Sequence, residues 1–188
     1  MVAALCKELI MRKEEAIGSE LQTIYLGGGT PSILTYDELK QLFDTIYSYY
    51  KVSPTAEITI ECNPDDFFRI HTPELLLQQL TSLGINRLSL GVQSFFEEDL
   101  RLMNRVHTIT QVTTLLPIAS QYFDNITIDL IYGIPMMSNE RWEENIYKAL
   151  SFGIPHISAY ALTVEEKTAL HRFIATGKIP PIDDTQAY

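Results

Sequence analysis

The chain has 188 residues, of which 46% are hydrophobic and 20% are charged, proportions that suit one sizeable core in an ordinary folded domain. Its net charge is −10, and because nucleic acid requires a positively charged surface, we expect no nucleic-acid partner. No apolar run approaches the roughly 20 residues of a membrane span and the charged first helix is unlike a signal peptide, so we expect a cytoplasmic protein.

The first predicted element is an amphipathic helix over 1–17, because its apolar residues recur with the helical period. Strands and helices then alternate, with strands at 23–26, 57–61 and 86–92 and helices from about 36 to 50 and from 73 to 83. Capping residues support both helices. Thr35 and Glu38 form a capping box, and Thr72 precedes Pro73 at the first helical position.

The second half of the chain continues this alternation. A Ser94–Glu97 capping box predicts a short helix through about residue 105, and Thr110 is expected to begin a helix to residue 122. Pro117 lies too deep in that helix for a first-turn proline, so we expect a kink or a late start. Strands at 125–131 and 156–161 and helices at 139–152 and 168–176 complete the predicted elements.

Strands that alternate with helices predict parallel βα units with right-handed crossovers. Five strands are too few to close an eight-stranded barrel, which takes about 250 residues. An open doubly wound sheet and a partial β/α barrel remain as alternatives. Since no linker divides the chain, we predict a single domain over residues 1–188.

The strands carry polar side chains on one face only. In 58–61 the isoleucines alternate with Thr59 and Glu61, and in 126–130 the apolar residues alternate with Thr127 and Asp129. The third and fifth strands have polar positions at Ser89, Gly91 and Gln93 and at His156, Ser158 and Tyr160. One polar face favours a curled sheet with a wet lumen, and we therefore predict an α/β fold, a partial barrel of about five parallel strands.

Polar residues also gather at the carboxyl ends of the predicted strands. Glu61, Gln93 and Asp129 lie at or near these ends, where α/β sheets and β/α barrels bind ligands. Thr30 and the glycines at 27–29 follow the first strand, and glycine allows the backbone to approach a ligand closely. Two carboxylates at corresponding strand ends favour a binding site, although backbone amides or a basic residue would also satisfy each of them locally.

The types of these residues indicate the chemistry of the ligand. The carboxylates accept hydrogen bonds from hydroxyl or ammonium groups, and Arg105 either holds a carboxylate or is a solvated helix end. A ligand with an amine, a carboxylate and a ribose fits this set. A dinucleotide fits poorly because Ser32 occupies the last glycine position of GxGxxG, and phosphate bound by the glycines is a further alternative.

Neither the histidines nor the cysteines predict a metal site. The four histidines form no pair at ligand spacing, and we expect His71, His107 and His171 to be surface or cap residues. Cys6 and Cys62 are far apart in sequence, and both are expected to be structural.

Five motifs occur in order along nearly the whole chain, at 27–31, 61–64, 86–95, 104–105 and 128–135. Together they resemble the radical S-adenosylmethionine (SAM) family of oxygen-independent coproporphyrinogen III oxidases and their haem-chaperone relatives. The resemblance implies a partial barrel with SAM and a [4Fe–4S] cluster at the carboxyl edge of the strands. The positions that match the family's SAM contacts are Gly28, Gly29, Thr30, Glu61, Gln93, Arg105, Asp129 and Ala161.

The resemblance implies first that the chain is the SAM-binding core of such an oxidase, in porphyrin and haem biosynthesis. In the oxidases, a radical derived from SAM oxidatively decarboxylates coproporphyrinogen III to protoporphyrinogen IX, with an electron donor as partner. The alternative is a haem chaperone of the same family, which binds and delivers haem. The resemblance assigns no catalytic residue in this chain.

The chain departs from the family pattern in one respect. The family's CxxxCxxC loop and the strand before it are absent, and Cys6 and Cys62 cannot replace three clustered thiolates. The family's C-terminal region is also missing. We therefore expect a central part of a longer radical SAM enzyme that by itself carries no cluster and is catalytically inert.

Overall fold

Five parallel strands form an open half-barrel in the computed structural model, which describes residues 1–69 and 72–182. The strands are β1 (Leu21–Leu26), β2 (Val52–Cys62), β3 (Arg87–Gln93), β4 (Asn125–Tyr132) and β5 (His156–Ala161). Each strand pairs in parallel with the next strand along the chain. This consecutive order confirms the predicted partial β/α barrel, because the strand order of a doubly wound sheet reverses.

Helices connect the strands and cover the outer face of the sheet. In the described residues the α-helices are α1 (Val2–Arg12), α2 (Tyr36–Tyr49), α3 (Asp66–Arg69), α4 (Pro73–Ser82), α5 (Glu97–Leu102), α6 (Ile109–Ala119), α7 (Asn139–Ser151) and α8 (Ala169–Ala175). Short 3-10 helices lie at Lys13–Ala16 and Pro31–Ile33. None of the helices in residues 1–69 and 72–182 combines the length and the hydropathy of a membrane-spanning segment.

The two faces of the sheet differ as the alternation predicts. Ile60, Leu88 and Ile128 are completely buried in the core between the sheet and the helices. Thr59 and Thr127 have the opposite parity and point into the lumen, where they are also buried, at 1% and 2% exposure. The curvature of the half-barrel therefore encloses polar side chains as well as apolar ones.

Two predicted helix starts are confirmed in atomic detail. The side chain of Thr35 accepts from the backbone N–H of Glu38, and the Glu38 carboxylate accepts from the N–H of Thr35. Thr72 caps α4, with Pro73 in its first turn. These caps satisfy backbone N–H groups that have no partner inside the helix.

The predicted Ser94 cap is wrong. Helix α5 has Phe96 at its N-cap, without a side-chain cap, and ends at Leu102. The hydroxyl of Ser94 instead accepts from the N–H of Phe96 at 3.1 Å and donates to the buried carboxylate of Asp99 at 2.7 Å. The carboxylate of Asp99, five residues further along the chain in α5, thus engages the hydroxyl that the pattern assigned to the helix cap.

The late start that Pro117 suggested for the next helix is also wrong. Helix α6 begins at Ile109 after a capping box of Thr108 and Gln111, so its start is earlier than Thr110 and not late. Pro117 lies in the last turn of the helix, which ends at Ala119. A proline near the end of a helix removes only one of the final backbone hydrogen bonds.

Candidate functional site

A polar pocket of about 200 Å³ lies at the carboxyl edge of the strands. It is lined by Gly29, Thr30, Glu61, Cys62, Asn63, Ser89, Gly91, Gln93, Arg105 and Asp129. Six of the eight predicted site residues therefore meet in one pocket. The remaining two, Gly28 and Ala161, do not line it: Gly28 contacts Glu61 from the side, and Ala161 ends β5 opposite Tyr132.

Both oxygens of the Glu61 carboxylate are held by the segment around the glycines. The hydroxyl of Tyr25 donates to Oε1 at 2.8 Å, and the backbone N–H of Gly28 donates to Oε2 at 3.1 Å. A Cβ on Gly27 would lie 2.6 Å from Cε1 of Tyr25 and 2.7 Å from Oε1 of Glu61. Gly27 therefore leaves the space that the tyrosine ring and the carboxylate occupy.

Asp129 lies on β4 opposite Ser158 of β5. Desolvation raises the pKa of the Asp129 carboxyl group, and repulsion from Glu61 adds to the increase, against a hydrogen bond from Ser158. A bound cation or hydrogen-bond donor would stabilise the ionised form. The two carboxylates thus form an acidic wall suited to an ammonium group or to ribose hydroxyls.

Gln93 reaches the pocket through an irregularity at the end of β3. The register with β4 shifts between Leu90 and Gln93, so Gln93 pairs with Leu130. Gln93 also has a φ of +68°, a conformation that is uncommon outside glycine. A Cβ on Gly91 would lie 2.9 Å from Nε2 of Gln93, so the glycine makes room for the amide.

Arg105 approaches the pocket from the segment that follows α5. Asn104 turns the chain with a φ of +55°, and the N–H of Arg105 closes this turn on the Leu100 carbonyl at 2.8 Å. Desolvation lowers the pKa of Arg105, whereas Asp65 and Asp129 act in the opposite direction. Guanidinium groups remain charged in proteins, so Arg105 supplies the positive side of the pocket.

His107 is not the surface or cap residue that the sequence predicts. It is 3% exposed, and its Nε2 lies 3.0 Å from the Val92 carbonyl oxygen, so the neutral ring donates from Nε2. This bond ties the segment that carries Arg105 to the end of β3 that carries Gln93. His71 lies outside the described residues, and His171 is exposed in α8, as expected.

Tyr25, which contacts Glu61, and Asn63, which lines the pocket, are residues at this site that the sequence analysis did not predict. The register partner of Tyr25 is Thr59, so the ring lies on the lumen side of β1. The alternation in 23–26, with Thr23 and Tyr25 against Ile24 and Leu26, is a signal that would have found Tyr25.

In the described part of the chain, no group of three or more His, Cys, Asp or Glu side chains is arranged to hold a metal ion. Cys6 and Cys62 are both buried and not bonded to each other. Burial raises the pKa of the Cys62 thiol well above its usual range, which disfavours the thiolate that binds metals. The side chains of residues 1–69 and 72–182 therefore do not fit an iron–sulfur cluster.

A second cavity of about 850 Å³ lies on the other side of the glycine segment, between α1 and β1. Its walls include Leu5, Leu9, Leu42 and Ile46, and it shares Gly29 and Thr30 with the polar pocket. The glycine segment thus separates a large, mainly apolar cleft from the small polar pocket.

Comparison with known proteins identifies similar chains. A family model described as the radical SAM superfamily matches residues 4–160. The chain is 36% identical over 183 residues to the heme chaperone HemW of Synechocystis. This alignment covers 96% of this chain and 43% of that protein. The chain is 37% identical over 182 residues to the heme chaperone HemW of Bacillus subtilis. That alignment covers 95% of this chain and 47% of the Bacillus protein.

A solved structure is similar over the same extent. The coproporphyrinogen III oxidase HemN of Escherichia coli, described as a radical SAM enzyme, matches with a TM-score of 0.83 and 28% identity. The match covers 98% of this chain and 42% of the oxidase. The chain thus spans less than half the length of each of these proteins.

Proposed function

Because the chain belongs to the radical SAM superfamily, in the group that contains coproporphyrinogen III oxidases and haem chaperones, we propose that its polar pocket binds SAM within a haem chaperone. The observation that carries the proposal is the meeting of Glu61, Asp129 and Arg105 in one pocket of about 200 Å³. This pocket presents two carboxylates and one guanidinium group, which complement the amine, carboxylate and ribose of SAM.

In this proposal, different residues of the pocket bind different groups of SAM. Arg105 pairs with the methionyl carboxylate, and Glu61, Asp129 and Gln93 bind the amine and the ribose hydroxyls. Gly28, Gly29, Thr30 and Ala161 are the remaining proposed contacts. The cavity is smaller than the roughly 300 Å³ at which ligand pockets begin, so it holds the polar end of SAM and leaves the rest in the lumen.

When SAM is bound to a reduced [4Fe–4S] cluster, it supplies radical chemistry in this superfamily. The described residues do not provide the ligands of such a cluster. The part of the function that we assign to this chain is therefore the binding and orientation of SAM.

The choice of a haem chaperone rests on sequence. The HemW proteins of Synechocystis and Bacillus subtilis are 36% and 37% identical to the chain over nearly its whole length. The oxidase HemN is 28% identical, with a closely similar fold. This fold supports an oxidative decarboxylation of coproporphyrinogen III as the second candidate function.

SAM binding is tested by titration calorimetry of this chain with SAM and with S-adenosylhomocysteine. We expect both to bind, and Glu61→Gln and Arg105→Ala each to weaken binding roughly ten- to hundred-fold, because each removes a charged hydrogen-bond partner. Glu143→Ala, on the exposed face of α7, is the control and should bind as the wild type does. No binding by the wild type, or competition by inorganic phosphate alone, contradicts the proposal.

The two branches are separated with protein expressed at the full length of its gene. A haem chaperone should take up haem stoichiometrically, with a stable Soret band, and should leave coproporphyrinogen III unchanged. Decarboxylation of coproporphyrinogen III together with formation of deoxyadenosine would instead establish the oxidase.

A further inference from the structure

The side chain of Tyr25 connects the two cavities beside the glycine segment. Its ring borders the apolar cleft, and 58% of the residue is exposed. Its hydroxyl, however, donates to Oε1 of Glu61 in the polar pocket at 2.8 Å. Although the residue is exposed, its hydroxyl makes a long-range hydrogen bond to a carboxylate 36 positions away in sequence, which indicates a role at the site.

Contacts with Tyr25 and Gly28 hold the Glu61 carboxylate in one orientation. Tyr25 holds Oε1, and the N–H of Gly28 holds Oε2 at 3.1 Å. The space over Gly27 is filled by the tyrosine ring edge and by the carboxylate, so the carboxylate has little freedom to rotate. A carboxylate has about four lone-pair sites, and these two bonds leave further sites for a ligand.

The surroundings of Tyr25 keep its hydroxyl protonated. Desolvation raises the pKa of the phenol, and the hydrogen bond to Glu61 and the charge of Asp129 add to the increase, while a hydrogen bond with Ser89 acts against it. A phenol ordinarily ionises near pH 10, so Tyr25 is a hydrogen-bond donor throughout the physiological range.

We propose that Tyr25 is a positioning residue, which orients Glu61 for SAM and thereby sets the affinity of the pocket without touching the ligand. This inference rests on the proposed function, since it takes Glu61 to be a ligand contact. Orienting a charged acceptor before binding lowers the entropy lost when the ligand arrives. We therefore expect Tyr25 to act through Glu61, which is a testable form of coupling.

The test is a double-mutant cycle read by titration calorimetry with S-adenosylhomocysteine. Y25F removes only the hydroxyl and should weaken binding about three- to ten-fold, the range of one hydrogen bond. Tyr147→Phe, which removes the hydroxyl of another exposed tyrosine, on α7, should leave the affinity unchanged. In the Glu61→Ala background, which has no acceptor for the hydroxyl, Y25F should have no further effect.

Thermal unfolding of each variant separates positioning from folding. If Tyr25 positions Glu61, Y25F keeps the melting temperature of the wild type while it loses affinity. Glu61→Asp is the second variant, because it keeps the charge but moves the carboxylate away from the Tyr25 hydroxyl. We expect Glu61→Asp to bind more weakly than the wild type, and the double variant with Y25F to bind as weakly as Glu61→Asp alone. These results together support the inference.

Three results overturn the inference. Unchanged affinity in Y25F, with the wild type binding, refutes the role of Tyr25 and leaves the proposed function intact. Multiplicative losses in the double mutant show that Tyr25 acts independently of Glu61. A wild-type chain that does not bind S-adenosylhomocysteine refutes the proposed function, and the inference falls with it.

Discussion

Asp129 carries an electrostatic cost in the folded chain. Desolvation, with repulsion from Glu61, raises its pKa, which means that the fold disfavours the ionised form. The folded state is then more stable when Asp129 is protonated. The contribution of Asp129 to the free energy of unfolding therefore rises as the pH falls through the raised pKa of the folded state. The increase is complete below the ordinary aspartate pKa of about 3.9, where Asp129 is protonated in the unfolded chain as well.

Asp129→Asn should therefore stabilise the chain and weaken the binding of S-adenosylhomocysteine. We expect the melting temperature at pH 7 to rise by about 1–3 °C, since a change of about 1 kcal/mol shifts a chain of this size by roughly 2–4 °C. The advantage should vanish near pH 4. Asp124→Asn, an exposed carboxylate on the loop before β4, is the control for a general charge effect. A lower melting temperature for Asp129→Asn contradicts this account.

His107 produces the opposite dependence on pH. Desolvation lowers its pKa, and Arg105 contributes to this, while the bond to Val92 and the charges of Asp65 and Glu97 oppose it. The unfolded chain takes up a proton near pH 6.5, whereas the folded chain does so only at a lower pH. The stability that comes from neutral His107 is thus complete above about pH 6.5 and is lost as the pH falls toward the folded pKa.

His107→Gln tests this dependence, because the glutamine amide keeps a donor for the Val92 carbonyl but does not titrate. The melting temperature of the wild type should fall between pH 7 and pH 5.5 by about 2–4 °C more than that of the variant. Equal slopes for the two proteins would show that His107 does not titrate in this window.

At the scale of elements, helix α7 holds the loop that follows β3. The carbonyl oxygen of the Asn145 side chain accepts from the N–H of Phe95 at 2.6 Å, and Arg141 pairs with Asp99 at 3.1 Å. Asn145 and Asp99 are 0% and 2% exposed. Since the same loop begins at Gln93, a helix remote in sequence supports one wall of the pocket.

Asn145→Ala should leave the N–H of Phe95 buried without a partner, at a cost of about 1–3 kcal/mol. We expect a loss of roughly 3–9 °C in melting temperature and faster hydrogen exchange at residues 93–99. Glu143→Ala on the exposed face of the same helix should change neither quantity. Unchanged exchange in the loop of Asn145→Ala would show that α7 does not support it.

The pocket walls differ in how far the sequence predicts them. Glu61 and Asp129 were located by alternation, because each follows the period of its own strand. Gln93 was also located, but the backbone conformation that brings it to the pocket was not predicted. The register of β3 shifts after Leu90, and Gln93 has a positive φ. The bulge depends on the neighbouring strand, which the pattern within β3 does not reveal.

At the scale of the whole molecule, the parallel pairing of all five strands brings every carboxyl end to one rim of the half-barrel. Side chains from β2, β3 and β4 then meet the glycine segment after β1 in a single pocket. Parallel βα units with crossovers of one hand produce this arrangement without any particular side-chain contact. The position of the candidate site is thus a property of the topology.

The sequence by itself determined the alternation of strands and helices, the two-faced strands and the rim at which the site lies. These follow from local periods and from the direction of parallel strands, which neighbouring residues encode. Only the tertiary structure decided that Tyr25 holds Glu61, that Asn145 of α7 accepts from the N–H of Phe95, and that His107 is buried. Each of these outcomes depends on contacts made once the chain has folded, and a hydroxyl or an imidazole binds whichever partner the packing brings within reach.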